Sequence, residues 1–241
     1  VYTATVIYRL PAPVERVWRY ISEANKLHRW FARTGRFAAG EEFVFDFGDG
    51  DFHNGVITEW FPNISWAARW QFLGMGPHYH IRFSLLPRKN DTELAISDQG
   101  ALSLDEALCL RLGWTEFCMR LHRVLEGELN ARFKWRKDFN VTARFADAAS
   151  PQSLIEPCWY IRTLNAQMTA VCPDSGIMTI QADRWHGVTT TVRVRQQRVG
   201  NELYTEVQHN GFSDLPGDIG PAERTAAATA WINGLRELGG Y

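Results

Sequence analysis

The chain has 241 residues, 45% of them hydrophobic and 22% charged, the make-up of an ordinary folded globular protein. Lys plus Arg number 26 and Asp plus Glu 27, a formal net charge of −1, which excludes a bulk basic nucleic-acid binder and an acidic solvating tail. A chain this long buries roughly 70–75% of its unfolded surface and needs no disulfide or metal to hold a core, and it has no run of about 18 apolar residues to span a membrane.

Thr3 to Leu10, rich in β-branched and aromatic residues, predicts the first strand. Pro11-Ala12-Pro13 ends it, and Pro13 suits the first turn of a helix. Val14, Val17, Trp18 and Ile21 then recur at helical spacing, and a second short helix runs through Leu27, Trp30 and Phe31. A meander follows, with strands predicted at Glu42 to Phe47, His53 to Trp60, Ile64 to Phe72, His78 to Leu86 and Thr92 to Asp98. Gly48-Asp49-Gly50-Asp51, Pro62-Asn63 and Arg88-Lys89-Asn90-Asp91 supply turns between them. Ser103 with Glu106 reads as a capping box. Beyond it Ala107, Leu110, Trp114, Phe117, Leu121 and Leu125 step by three or four along one face of a long amphipathic helix. The fold class is therefore α+β, a curved antiparallel sheet wrapped on a long helix. The space between them, unless side chains fill it, is a ligand cavity.

Four segments in this order carry a resemblance: Pro11-Ala12-Pro13-Val14-Glu15-Arg16-Val17-Trp18, Leu27-His28-Arg29-Trp30-Phe31, Phe43-Val44-Phe45-Asp46-Phe47-Gly48-Asp49-Gly50, and Gly113-Trp114-Thr115-Glu116-Phe117. Together they resemble the activator-of-heat-shock-ATPase (Aha-type) branch of the START and pollen-allergen (SRPBCC) superfamily, over about half the chain. The resemblance implies the helix-grip fold. It also implies a range of roles: binding of lipids, polyketides or antibiotics, or help to a chaperone. Trp18, Trp30 and Trp114 are expected first of all to pack the core.

The second half lacks the family's start, but its tail repeats the ending of the first. Glu93-Leu94 through Gln99-Gly100 is echoed by Glu202-Leu203 through Gln208-His209-Asn210-Gly211, and Trp114 with Leu121 is echoed at the same spacing by Trp231 with Leu238. Strands are expected at Asn140 to Phe145, Ile177 to Arg184 and Val188 to Gln197, and a helix or helix pair from Ser150 to Leu164. The expectation is two tandem domains, 1–130 and a shortened copy at 131–241, with Arg132 to Asp138 as a stiff linker.

Within Thr92 to Asp98, alternation puts Asp98 on one face with Leu94 and Ile96, toward the long helix. A carboxylate there either caps a turn at the cavity rim, the commoner use, or moves a proton with a raised pKa. His53 and Glu59 are expected on one face of their strand, and His78, His80 and Arg82 on one face of theirs. Because Tyr79, Ile81, Phe83 and Leu85 read as the inward face, the His78/His80 pair should face solvent, and no metal or cofactor is expected. Cys109, Cys118, Cys158 and Cys172 show no CxxC spacing and are read as buried, reduced thiols of a cytoplasmic protein. The opening Val1 to Thr5 has no signal-peptide pattern.

The leading expectation is binding of a small hydrophobic or aromatic metabolite in an apolar cavity. Its lining is Phe45, Trp66, Trp70, Phe83, Ile96, Trp114 and Phe117, with Asp98 or His53 orienting the guest. The first alternative is a polyketide cyclase or aromatase, with Asp98 as general base and His53 or Tyr79 as helper. Antibiotic self-resistance is a variant of the same cavity chemistry. The second alternative, prompted by the resemblance, is a chaperone ATPase-activating partner. A homodimer stays open, and no nucleic-acid partner is expected.

Overall fold

In the computed structural model, β1 (Tyr2–Leu10) buries Ala4, Val6 and Leu10 on one face and leaves Tyr2, Thr3, Thr5 and Ile7 exposed. The structure describes residues 1–132, 136–146, 167–172 and 176–241. Pro13 caps α1 (Val14–Ser22) at φ −65°, where its missing N–H costs no helical hydrogen bond. α1 and the short α2 (Ala24–Leu27) bury Val17, Trp18, Ile21 and Leu27.

Five strands follow: β2 (Glu42–Asp46), β3 (Phe52–Phe61), β4 (Ser65–Phe72), β5 (His78–Arg88) and β6 (Asp91–Ala101). With β1 they make one six-stranded antiparallel sheet in the order β1-β6-β5-β4-β3-β2. The long helix α3 (Leu104–Leu125) then packs on β1 and β6. Ser103 Oγ accepts from Glu106 N at 3.1 Å as the box requires, while the Glu106 carboxylate reaches Leu102 N at 2.6 Å. The buried face of α3 carries Ala107, Trp114, Cys118, Leu121, Val124 and Leu125, with Leu110 and Phe117 half-buried at its margin.

Beyond α3 the chain builds a second antiparallel sheet from β7 (Phe139–Phe145), β8 (Gln167–Cys172), β9 (Ile177–Gln181), β10 (Thr189–Val199) and β11 (Glu202–Asn210), in the order β7-β11-β10-β9-β8. It too is followed by a long helix, α4 (Ile219–Glu237). The chain is thus α+β with two helix-grip modules in tandem. Its compact units are Val1–Gly48, Phe52–Phe72 and Pro77–Lys134 in the first, and Asp49–Asp51, Leu73–Gly76 and Trp135–Tyr241 in the second.

Strand β8 is absent from the sequence reading, and the expected helix between Ser150 and Leu164 lies outside the described residues. The echoed helix pattern holds at its tryptophan alone: Trp231 is buried like Trp114, but Leu238 is 39% exposed where Leu121 is fully buried. Cys118 is a buried free thiol, whereas Cys109 is exposed, which corrects the expectation of four buried cysteines; Cys158 lies outside the described residues. Cys109 sits on the solvent side of α3, two residues past the buried Ala107 and five short of Trp114. Burial pushes the Cys118 thiol up to about 12, so a thiol reagent applied to the native protein is expected to label Cys109 and leave Cys118 untouched until unfolding.

Candidate functional site

The sheet of the first unit turns a nearly continuous layer of rings toward α3. Opposite residues on antiparallel neighbours share a face, and the register places Trp66 beside Phe83, and Phe83 beside Ile96. Trp66 and Phe83 stack at 4.3 Å with 15° between their planes, and Trp66 Nε1 donates to Ile21 O at 3.0 Å. Trp114 comes down from α3 into this layer. It lies near-parallel to Trp70 at 5.8 Å and to Phe31 at 5.7 Å, meets Phe83 edge-on at 5.5 Å, and touches Phe117 at 5.7 Å. Phe31 in turn packs against Phe45 at 5.1 Å and Phe117 at 4.8 Å. All seven expected lining residues (Phe45, Trp66, Trp70, Phe83, Ile96, Trp114 and Phe117) fall in this one cluster. Its rings touch one another, so the interior is both walled and occupied by aromatic groups.

Two glycines make the layer possible. A Cβ at Gly55 would lie 2.6 Å from Arg69 O and 2.9 Å from the Phe43 ring, and one at Gly100 would lie 2.7 Å from the Tyr79 ring. The bare backbone at these points lets bulky neighbours close over it.

Under the rings lies one carboxylate. Asp98 continues the buried face of β6 after Thr92, Leu94 and Ile96. Its partners across the sheet are Ala4 and Ile81, which offer it nothing polar from their side chains. It is 1% exposed, so it is a core group and not the turn-capping rim carboxylate that is the commoner use of such a residue. Trp114 Nε1 donates to Asp98 Oδ2 at 2.9 Å, and the Trp70 indole also acts on the carboxylate, although Oδ1 makes no hydrogen bond of ordinary geometry among the described residues. Burial pushes the carboxyl up to about 7. The indoles of Trp114 and Trp70 pull it back toward the charged form, and the negative charge of Glu106 adds a little to the rise.

This has a consequence for stability. Between the ordinary carboxyl value of 3.8 and about 7, folded Asp98 holds a proton that the unfolded chain has lost. The folded state then binds more protons, so stability falls as pH rises through that window. From pH 5 to pH 8 the contribution lost is about 3 kcal/mol. Urea unfolding at the two pH values is expected to show that loss in the native protein and to show it removed in Asp98→Asn.

His53 sits at the margin of the cluster, half-buried, its ring stacked on Trp70 at 4.3 Å and near Phe72 at 4.8 Å. Trp70 is the ring that His53 and the Asp98 surroundings share. Glu59 does not join His53. The register of β3 against β4 skips Thr58, pairing Ile57 with Ala68 and Glu59 with Ala67. This bulge reverses the alternation, and Glu59 forms an ion pair with Arg82 on the outer face. His78 and His80 are exposed on that outer face, while Tyr79 points inward and its hydroxyl donates to Glu106. Among the described residues no group of three or more His, Cys, Asp or Glu side chains is placed to hold a metal ion. An open groove of about 640 Å³ also borders β2–β4, lined by residues that include Arg36, Asn54, Arg69 and His78, but Asp98 is not part of it.

The second unit repeats the central device with different chemistry. His209 on β11 is fully buried, and Trp231 Nε1 of α4 donates to its Nδ1 at 3.3 Å. An indole N–H can only donate, so the ring proton is on Nε2, 2.8 Å from Thr190 Oγ1. Burial holds this imidazole down at about 3, and it is neutral. Phe212 closes over it at 4.5 Å.

Residues 11–126 match the family described as "Activator of Hsp90 ATPase homolog 1-like protein". This part of the chain is an Aha1-like domain of the SRPBCC helix-grip superfamily. Beyond the Aha1-like domain, the crystal structure of DynU16, from the dynemicin biosynthetic locus, superposes with a TM-score of 0.83 at 23% identity, covering 97% of this chain and 96% of that one. It extends the shared fold to both modules. CalU16 from Micromonospora echinospora matches 52% of this chain and 74% of its own at 21% identity and a TM-score of 0.46. The Aha1 dimer from Colwellia psychrerythraea matches 53% of this chain and 98% of its own at 20% identity and a TM-score of 0.46. Among curated proteins no sequence matches the chain.

Sequence reasoning left several parts of the Aha1-like site unassigned. Phe31 and Phe37 join the ring cluster; Phe37 packs on Trp66 at 5.2 Å and on Phe45 at 5.1 Å. Phe31 ends the segment Leu27-His28-Arg29-Trp30-Phe31, but nothing in a single sequence says that its ring reaches Trp114. The Trp114–Asp98 bond was hidden for the same reason, since it joins a helix to a strand by tertiary packing.

Proposed function

We propose that the Aha1-like domain binds a small hydrophobic or aromatic molecule within the ring cluster beneath α3. The observation that carries this reading is a carboxylate kept wholly out of water beneath stacked aromatic rings, an arrangement costly to stability. A packed core of this size gains nothing from such a group, whereas a binding site uses it to orient a guest. The half-buried members at the margin, Phe117 and His53, are the rings that a guest would displace. DynU16 comes from a biosynthetic locus, and a small-molecule role of that general kind is what we propose here. The reading takes 1–130 as the binding domain, 131–241 as a second helix-grip domain, and the cytoplasm as the location. No helix of the described residues is long and apolar enough to cross a membrane.

The test is a thermal-shift and native mass-spectrometry screen of flat aromatic compounds against the full chain. Saturable binding at unit stoichiometry, reduced in Trp70→Ala, is the expected result. Absence of any saturable binder contradicts the proposal.

A second reading has one observation in its favour. A carboxyl held at about 7 is poised to take and return a proton near neutral pH, as a polyketide cyclase or aromatase requires. In that reading Asp98 is the general base, and Asp98→Asn abolishes turnover of a supplied polyketide chain while leaving its binding intact.

A further inference from the structure

The long helix of the first unit carries a second apolar face. Its buried side packs on β1 and β6, yet Leu104, Leu108, Leu112 and Met119 stand on its outer side, between 41 and 69% exposed. Steps of four, four, three and four link Leu104, Leu108, Leu112, Thr115 and Met119. They form one stripe about 22 Å long at 1.5 Å per residue. No charged side chain stands within it; Arg111 and Glu116 flank it, and Glu116 is already paired with Arg120 at 2.8 Å. Single apolar residues on a surface need no explanation, but a contiguous ridge marks an interaction surface. The steps from Leu108 onward are those of a coiled-coil seam, which is covered by another helix with a matching seam.

We propose that α3 pairs with α3 of a second copy of this chain, antiparallel, about a two-fold axis level with Gly113 and Trp114. A two-fold contact is self-complementary, so each residue must suit its counterpart on the other copy. In this order Leu108 faces Met119 of the second copy, and Leu112 faces Thr115. Leu112 protrudes most, at 69% exposed, while the half-buried Thr115 is the dip in the stripe. The Thr115 hydroxyl donates to Arg111 O at 2.9 Å, which leaves its methyl group for the seam. At the ends, Asp105 in the first turn falls opposite His122 in the last. His122 suits a carboxylate, since its Nε2 lies 3.4 Å from that of Glu126 in its own chain. Parallel order would instead set Leu112 on Leu112 and Asp105 on Asp105, and would align the two helix dipoles where antiparallel order opposes them. Two stripes of this length make a small interface, so the pairing is reversible and depends on concentration. This inference is independent of the binding role proposed above.

The experiment is sedimentation velocity of the full chain at concentrations rising into the hundreds of micromolar, followed by disulfide trapping. The expected result is a monomer–dimer equilibrium that Leu112→Glu weakens by about tenfold or more, because it sets a charge in the apolar seam. Leu112 is so exposed that the thermal midpoint of this variant at low concentration should not move. For trapping, Cys109→Ser removes the exposed native thiol and serves as the control. In that background Leu108→Cys with Met119→Cys is expected to form a dimer linked by disulfides under mild oxidation, and neither substitution alone is expected to do so. A chain that stays monomeric throughout overturns the proposal and leaves the stripe to a partner of another sequence. A dimer that Leu112→Glu leaves intact overturns it by placing the interface elsewhere. Trapping by either single substitution overturns the antiparallel order.

Discussion

Trp114→Ala is expected to destabilise the first unit by about 4 kcal/mol, since truncation of a buried tryptophan costs 3–5 kcal/mol. The side chain is 5% exposed and packs against Trp70, Phe31, Phe83 and Phe117. The substitution also removes the hydrogen bond that favours the charged form of Asp98, so the carboxyl rises further. Trp114→Phe separates the two effects. It keeps most of the ring area but not the N–H, and about 1–3 kcal/mol is expected from the unpaired carboxylate alone. Chemical denaturation of both variants at pH 5 and pH 8 is the measurement. The Phe variant should lose more at pH 8, where Asp98 is charged, than at pH 5, where it is protonated. An equal loss at both pH values would show that the indole N–H does nothing for the carboxylate.

Arg224→Met is expected to cost the second unit about 3–5 kcal/mol, because it strands a buried charge. Arg224 is fully buried on α4, and its Nη2 meets Asp51 Oδ2 at 2.6 Å. Nη1 donates to Asp49 O at 2.6 Å, and Nη2 and Nε donate to Asp138 O at 2.8 and 3.1 Å. Arg136 contributes a second cation to the same Asp51 oxygen at 2.8 Å. With Arg224 gone, Asp51 keeps this half-buried partner among the described residues, Asp138 O loses its Arg224 donors, and Asp49 O is left with Thr225 Oγ1 at 3.2 Å. Adding Asp51→Asn removes the stranded charge, so the double variant is expected to be more stable than Arg224→Met alone. Urea midpoints of the three variants test this. A double variant whose loss is the sum of the two single losses would contradict the coupling.

The strands and helices of the first unit were readable because each carries its own period. The inward set Tyr79, Ile81, Phe83 and Leu85 alternates without interruption, and the same alternation placed Asp98 with Leu94 and Ile96. Alternation failed at Thr58, where one inserted residue moves Glu59 to the opposite face from His53; nothing local in His53-Asn54-Gly55-Val56-Ile57-Thr58-Glu59 marks a bulge. Position on the buried face was legible for Asp98, but the depth of its burial was not, because that depends on Trp114 coming down from a helix 16 residues away in sequence. Arg224 lies among the small residues of α4 and carries no motif in the sequence. Its burial depends on Asp51, 173 residues away, which the sequence presents simply as part of a turn. The repeat was visible as Trp114 and Trp231. That each indole holds a buried titratable group, Asp98 in one and His209 in the other, required coordinates.

The position of a bound aromatic guest decides whether the ring cluster is a binding site. With a flat aromatic compound such as 1-naphthol bound to the isotopically labelled chain, intermolecular nuclear Overhauser effects should connect its ring protons to the indoles of Trp70 and Trp114, with the Trp114 Nε1–H still bonded to Asp98. Contacts confined to outward residues such as Arg69 and His78 would instead put the guest outside the grip, and the aromatic cluster would then be core and nothing more.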